Sequence, residues 1–315
     1  MLISAAGGGA LTAATAHMKY LSGGISSALF ITGLFSWIIY SGSFILMQIF
    51  HLTLATKQPS MTAPALAAKL KESQDYKEFA ELVAKITRSQ FAAALGNVGM
   101  VIPTAICADY LFFWQSGNHL MSKEYALKTI ASLDPTHSLT IVYAALTGII
   151  LWLSSIGAGW IENWFVYRRL PETISHSSWI GNTFGRKIAT KISAWVCKNI
   201  SGLGGSLTLG FLLAFTPIGG KFFGLPLDVR HVTLSAGALT FAFCSIGEFT
   251  WRELAISGIS IIIIGIMNFG VSFVAALYTA AKAREVKSNR LQLLQRAVWA
   301  KMKKTPMSFL FPESR

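Results

Sequence analysis

Charge is missing from long stretches of this chain. Tyr20 to Phe50, Ser89 to Ala108, Ser138 to Ile161, Asn199 to Gly220 and Leu254 to Ala281 contain no Asp, Glu, Lys or Arg. Each run is at least about as long as the ~20 apolar residues that cross a hydrocarbon layer of ~30 Å. In that solvent only helices and closed barrels satisfy their own backbone, and runs that are continuous rather than alternating select helices. The pattern therefore predicts an all-α fold, a multi-pass transmembrane helical bundle with amphipathic interfacial helices.

The polar intervals divide the chain further. Residues 1–56 read as membrane helices 1 and 2. Residues 57–88 read as a cytoplasmic amphipathic helix, because Phe79, Leu82, Val83 and Ile86 recur at helical spacing among Lys and Glu. Residues 89–161 hold membrane helices 3 and 4, separated by a nearly charge-balanced stretch, Gln115 to His137, that suits the outer side. Residues 162–198 form a basic cytoplasmic segment with an interfacial helix, 199–281 a glycine-rich membrane region, and 282–315 a basic C-terminal tail.

Between Lys198 and Lys282 three hydrophobic runs compete for what should be an even number of crossings. Asn199 to Gly220 is interrupted by Gly202, Gly204, Gly205, Pro217, Gly219 and Gly220, and Val232 to Gly247 is short. One of the two is expected to be broken or re-entrant. About six hydrophobic helices are expected in all.

Composition fits. Hydrophobic residues make up 53% of the 315 and charged residues 13%, about half the usual charged share of a soluble domain. Mean hydropathy is +0.52. The first sixteen residues are apolar, yet no Lys or Arg precedes them and Gly7, Gly8 and Gly9 sit where a signal peptide would be most helical; a start partway into a membrane domain is the expectation. Cys107, Cys197 and Cys244 are scattered, so neither a disulfide framework nor a zinc site is indicated.

The net charge of +13 is not spread evenly. Asn163 to Lys198 carries Arg168, Arg169, Arg186, Lys187, Lys191 and Lys198 against Glu172 alone, and the tail from Lys282 carries nine basic residues against Glu285 and Glu313. The positive-inside rule places both in the cytoplasm. Ile188, Ile192, Trp195 and Val196 share one helical face opposite Lys187, Lys191 and Lys198, and Leu291, Leu294, Val298 and Met302 form a second stripe among basic residues. Such faces are expected to meet the bilayer, an anionic lipid surface or nucleic acid, or to act as solvated topology anchors.

Four segments carry a resemblance: Thr53 to Leu66 (TLATKQPSMTAPAL), Asn163 to Thr173 (NWFVYRRLPET), Asn199 to Thr233 (NISGLGGSLTLGFLLAFTPIGGKFFGLPLDVRHVT) and Asn268 to Leu277 (NFGVSFVAAL). In this order, across nearly the whole chain, they resemble the bacterial family described as site-specific recombinase after a gonococcal member. Family members are about twice this length, so the chain looks like their C-terminal membrane half. The resemblance implies a bacterial inner-membrane protein with, by name alone, a role in DNA rearrangement.

The residues do not supply that chemistry. A tyrosine recombinase needs His-x-x-Arg around the phosphate, and none of the six histidines is followed three residues later by Arg. In Tyr167-Arg168-Arg169-Leu170-Pro171 a proline stands where a serine recombinase needs its nucleophile. The carboxylates Asp109, Asp134, Glu162 and Asp228 lie in separate segments rather than as a metal-binding triad. Gly219-Gly220-Lys221 and Gly202-Leu203-Gly204 fail as nucleotide loops, because Phe215, Phe222 and Leu207 occupy the required Gly and Ser/Thr positions. No catalytic residue, metal or cofactor is predicted.

Ionisable and polar residues within apolar runs are the places to look for function, because burying them is costly. Asp109 ends a run of uncharged residues, and Glu162 with Asn163 closes another beside Trp160, Trp164, Phe165 and Tyr167. Asp228, Arg230 and His231 group opposite charges between two hydrophobic runs, where a transporter would build a site; a loop ion pair is the plainer reading. Asn268 needs a partner across the bundle. Two activities stand beside the family name: a transporter or lipid-handling protein, and a non-catalytic membrane scaffold.

Overall fold

A computed structural model describes residues 1–23, 28–54, 66, 76–286 and 288–312, and every regular element among them is helical. The elements are α1 (Leu2–Gly23), α2 (Leu29–Ile49), α3 (Tyr76–Ser116), α4 (Lys123–Ser132), α5 (Thr140–Tyr167), α6 (Leu170–Ser175), α7 (Ser178–Phe184), α8 (Arg186–Phe223), α9 (Val232–Ile246), α10 (Trp251–Ala283) and α11 (Ser288–Lys304), closed by a 3-10 turn at Pro306–Phe309. Five of them, α2, α3, α5, α8 and α10, are long and apolar enough to cross a membrane. The α9 helix is apolar but shorter. Most of the polar stretch 57–75, with most of the first family-like segment, lies outside the described residues.

Two expected boundaries fall inside single helices. The amphipathic residues up to Arg88 and the run from Ser89 belong to one helix, α3, and Arg186–Lys198 and Asn199–Gly220 belong to α8. Of the glycines that suggested a break in α8, Gly202 and Gly204 instead face neighbours: a Cβ on Gly202 would lie 2.5 Å from the Gln48 side chain of α2, and one on Gly204 2.9 Å from Ile161 of α5. Gly210 does the same, 2.2 Å from the Ser41 Oγ of α2. In a bilayer such small residues let helix backbones approach closely, and Pro217 near the end of α8 is tolerated.

The actual interruption is downstream. Gly224 caps α8 in the left-handed region (φ +66), its N–H bonding to the Gly220 carbonyl, and Pro226 prevents continuation. Residues 224–231 cross sideways to α9. Contacts fix the directions: Gly157 meets Thr208 and Gly204 meets Ile161, so α5 and α8 are antiparallel. Ala144 faces Asn268 and Gly148 meets Val271, so α5 and α10 run parallel. The α9 helix returns into α10 through residues 247–250, with Val232 against Asn268.

It follows that α9 runs in the same direction as α8 and does not turn back. The stretch from Lys198 to Lys282 contains one path out, in two offset pieces, and one path back. The basic segments flanking it lie at the same end of the bundle, which satisfies the parity that three separate crossings would break.

At that end α11 is a strap on the first turns of α3. Leu294 and Val298 pack with Phe79, Val83 and Phe273, Lys301 pairs with Glu81, and Arg88 donates to the Ser308 and Phe311 carbonyls. Part of the tail's apolar stripe is thus covered by protein. Ile188, Ile192 and Trp195 stay exposed on α8, while Ser193 on its other side donates to the Pro171 carbonyl at 2.6 Å.

Candidate functional site: the crossover between α8 and α9

A helix begins with N–H groups that lack partners, and α9 begins inside the bundle. His231 occupies the N-cap position but supplies no side-chain cap. Asn268 of α10 does so from across the interface: its Oδ1 accepts from Val232 N at 3.0 Å. Its Nδ2 donates to the Arg230 carbonyl and to the Ala144 carbonyl of α5, both at 2.9 Å. Asn97 of α3 holds the next residue, accepting from Thr233 Oγ1, and its Nδ2 ties the Ala5 and Thr53 carbonyls at 2.9 and 2.8 Å. Both asparagines are fully buried. Thr147 of α5 completes the brace by accepting from Arg230 N.

The side chains of the crossover face a more open region. Arg230 pairs with Asp228, donates to the Val229 and Ser132 carbonyls, and lies 5.4 Å from the Tyr143 ring centre. The Arg230 side chain is 12% exposed and that of Asp228 39%. Lys19 of α1, an exposed residue, lies with its Nζ 5.2 Å from the ring centre of Tyr40 on α2. His231 is buried beneath this layer.

The structure therefore brings Asp228, Arg230 and His231 to one crossover and leaves the other sequence candidates elsewhere. Asp109, fully buried, accepts from Leu120 N at 3.0 Å and contacts His119 Nδ1 at 2.6 Å, fastening the α3–α4 connection. It lies roughly 18 Å along α3 from Asn97, at about 1.5 Å per residue. Glu162 and Asn163 are exposed near the end of α5, roughly 22 Å along the helix from Thr147. Among the described residues no group of three His, Cys, Asp or Glu side chains is placed to hold a metal.

Sequence reasoning did not single out Lys19, Tyr40, Tyr143 or Asn97. Lys19 had a signal: it is the sole Lys, Arg, Asp or Glu in the first 56 residues, where an isolated charge is costly. The tyrosines had none, since aromatic residues are common throughout the chain. Chemically the site presents a charged pair to a polar ligand at a helix interruption.

The family model described as site-specific recombinase matches residues 1–312. No curated protein and no solved structure matches the chain.

Proposed function

The chain belongs to the site-specific recombinase family, and within it we propose a multi-pass bacterial inner-membrane protein, its basic end and C terminus cytoplasmic, that binds and handles a polar ligand at the α8–α9 crossover. The observation carrying this reading is the coincidence of a helix interruption with a charged pair, Asp228 and Arg230, in a chain where charge is scarce. Discontinuous helices whose ends meet inside a bundle are where transporters place their sites. DNA strand exchange draws support from the family description alone. The scaffold reading rests on the clustering of Arg168, Arg169, Arg186, Lys187 and the α11 basic residues at one end. These groups serve equally as topology anchors.

The test is water access. In a chain with Cys107, Cys197 and Cys244 replaced, Leu227→Cys is treated with a membrane-impermeant maleimide in vesicles of each orientation. Labelling from the side opposite the basic end, and not from the basic side in the resting protein, is expected. A cysteine that reacts from neither side yet labels in detergent makes the crossover a sealed structural joint and sinks the reading. Cleavage of duplex DNA by the purified protein would do the same.

A further inference from the structure

We propose that one row of side chains on α8, from Lys187 to Phe211, seats an anionic phospholipid of the leaflet at the basic end. Residues four apart stack into a ridge on a helix surface. Lys187, Lys191, Trp195, Leu203, Leu207 and Phe211 fall on one such ridge, and Asn199 fills its middle step. The order is graded: two ammonium groups, an indole, an amide, then aliphatic and aromatic side chains. Lys191 and Leu207 are roughly 24 Å apart along the axis at about 1.5 Å per residue, close to the depth of one leaflet in a bilayer of ~40–45 Å. The lysines therefore reach the phosphate layer when the leucines meet acyl chains.

The ridge is open. Lys187, Lys191, Trp195, Leu207 and Phe211 are exposed, and Asn199 and Leu203 are half-buried. Protein covers a different side of this segment, where Ala189 and Ser193 are buried and Ser193 donates to the Pro171 carbonyl. Trp37 of α2 extends the apolar end, its ring centre 5.9 Å from that of Phe211. Ile188 and Ile192 add exposed apolar surface beside the lysines, whose stems can lie along it while the ammonium stays in the headgroup layer.

The lysines are also unpaired. Lys187, Lys191 and the neighbouring Lys198 take part in no ion pair among the described residues, and from Asn163 to Lys198 Glu172 alone stands against six cations. The other basic stripe at this end differs: α11 lays Leu294 against α3 and pairs Lys301 with Glu81. Charge complementarity calls for an anion on α8, and the apolar half of the ridge calls for hydrocarbon. A phospholipid supplies both in one molecule, whereas a nucleic acid would leave Leu203, Leu207 and Phe211 unused. The surface lies upstream of the crossover and does not rely on it.

The full chain, purified in a mild detergent, is titrated with phosphatidylglycerol and phosphatidylcholine of matched short chains, and bound lipid is counted by native mass spectrometry. Phosphatidylglycerol is expected to bind saturably and about ten-fold more tightly. Lys187→Gln with Lys191→Gln lowers that affinity by about five-fold per lysine, the scale of one basic residue at an anionic surface, and unfolds like the parent because both side chains are exposed and unpaired. Lys303→Gln with Lys304→Gln on α11 leaves it unchanged. Leu207→Ser weakens both lipids. Equal affinity for the two lipids, or equal loss from the two lysine pairs, reduces the row to diffuse charge and overturns the proposal. So does inorganic phosphate that displaces the lipid at equal concentration, or duplex DNA that binds through Lys187 and Lys191 in its place.

Discussion

Asn268→Leu isolates what holds the crossover. The asparagine makes three hydrogen bonds, to Val232 N at 3.0 Å and to the Arg230 and Ala144 carbonyls at 2.9 Å each, and is fully buried. Leucine keeps the branching of asparagine and is somewhat bulkier, so no cavity opens and the main loss is polar. Side-chain hydrogen bonds inside membrane proteins contribute ~0.6 kcal/mol on average and up to ~1.7, so three are worth about 2–5 kcal/mol. The upper part of that range is favoured here, because the substitution leaves an N–H at a helix start and a loop carbonyl without water to replace the lost partner. Reversible unfolding in mixed micelles, followed by tryptophan fluorescence as denaturing detergent is raised, measures the loss. Asn268→Asp is the informative companion: it keeps the acceptor for Val232 N but turns an oxygen toward two carbonyls, so it should rescue little. A cost below about 1 kcal/mol for Asn268→Leu, the range of a tolerated volume-conserving swap, would refute the claim that α9 is capped from α10.

Two further outcomes follow from contacts away from the crossover. Gly210→Val should cost about 1–3 kcal/mol in the same unfolding assay, because its Cβ would meet Ser41 Oγ at 2.2 Å and Ser41 N at 2.8 Å; Gly219→Ala, whose Cβ meets nothing within 4 Å, should be neutral or slightly stabilising and serves as the control. In the α4–α5 loop, the backbone and side-chain donors of Thr136 hold Asp134 down to about 2. A carboxylate with a lowered folded-state pKa stabilises above its unfolded value of about 3.9 and loses that contribution as pH falls towards 2. Asp134→Asn should therefore flatten that acid limb by slightly lowering stability at neutral pH, with little change near pH 2, as pH-dependent unfolding would register.

The parts of this fold that follow from solvent chemistry were legible in the sequence. Charge-free runs located α2, α5 and α10 closely because a bilayer tolerates few alternatives to a long apolar helix. Helix ends were less legible. At Arg88 and at Asn199 polarity changes but nothing stops the backbone, so α3 and α8 run on through the boundary. Glycine misled in the other direction: Gly202 and Gly204 answer to Gln48 and Ile161 on other helices, and sequence spacing does not encode partners so distant in the chain. Gly224 followed by Pro226 did carry the stop signal, in the left-handed cap and the residue that cannot continue a helix. Of the candidate site, Asp228, Arg230 and His231 were visible because they are adjacent. Asn97 and Asn268 reach the same place from two other helices, and only packing brings them together.

Separating the bracing groups from the charged groups decides between a joint and a site. A crossover needed only for topology could be built from the two asparagines and Thr147, which satisfy the exposed backbone without introducing charge. Asp228 and Arg230 tie into the same brace, Asp228 accepting from Val229 N and Arg230 donating to the Val229 and Ser132 carbonyls, yet they bring charge, and charged side chains in an apolar bundle reduce stability unless paired or put to use. The asparagines and the charged pair should therefore fail differently. Asn268→Leu lowers stability, whereas Asp228→Asn with Arg230→Gln keeps polar groups at both positions and should shift unfolding less while abolishing ligand handling. If the double change destabilises as strongly as Asn268→Leu, the pair is only part of the brace and the crossover is a joint.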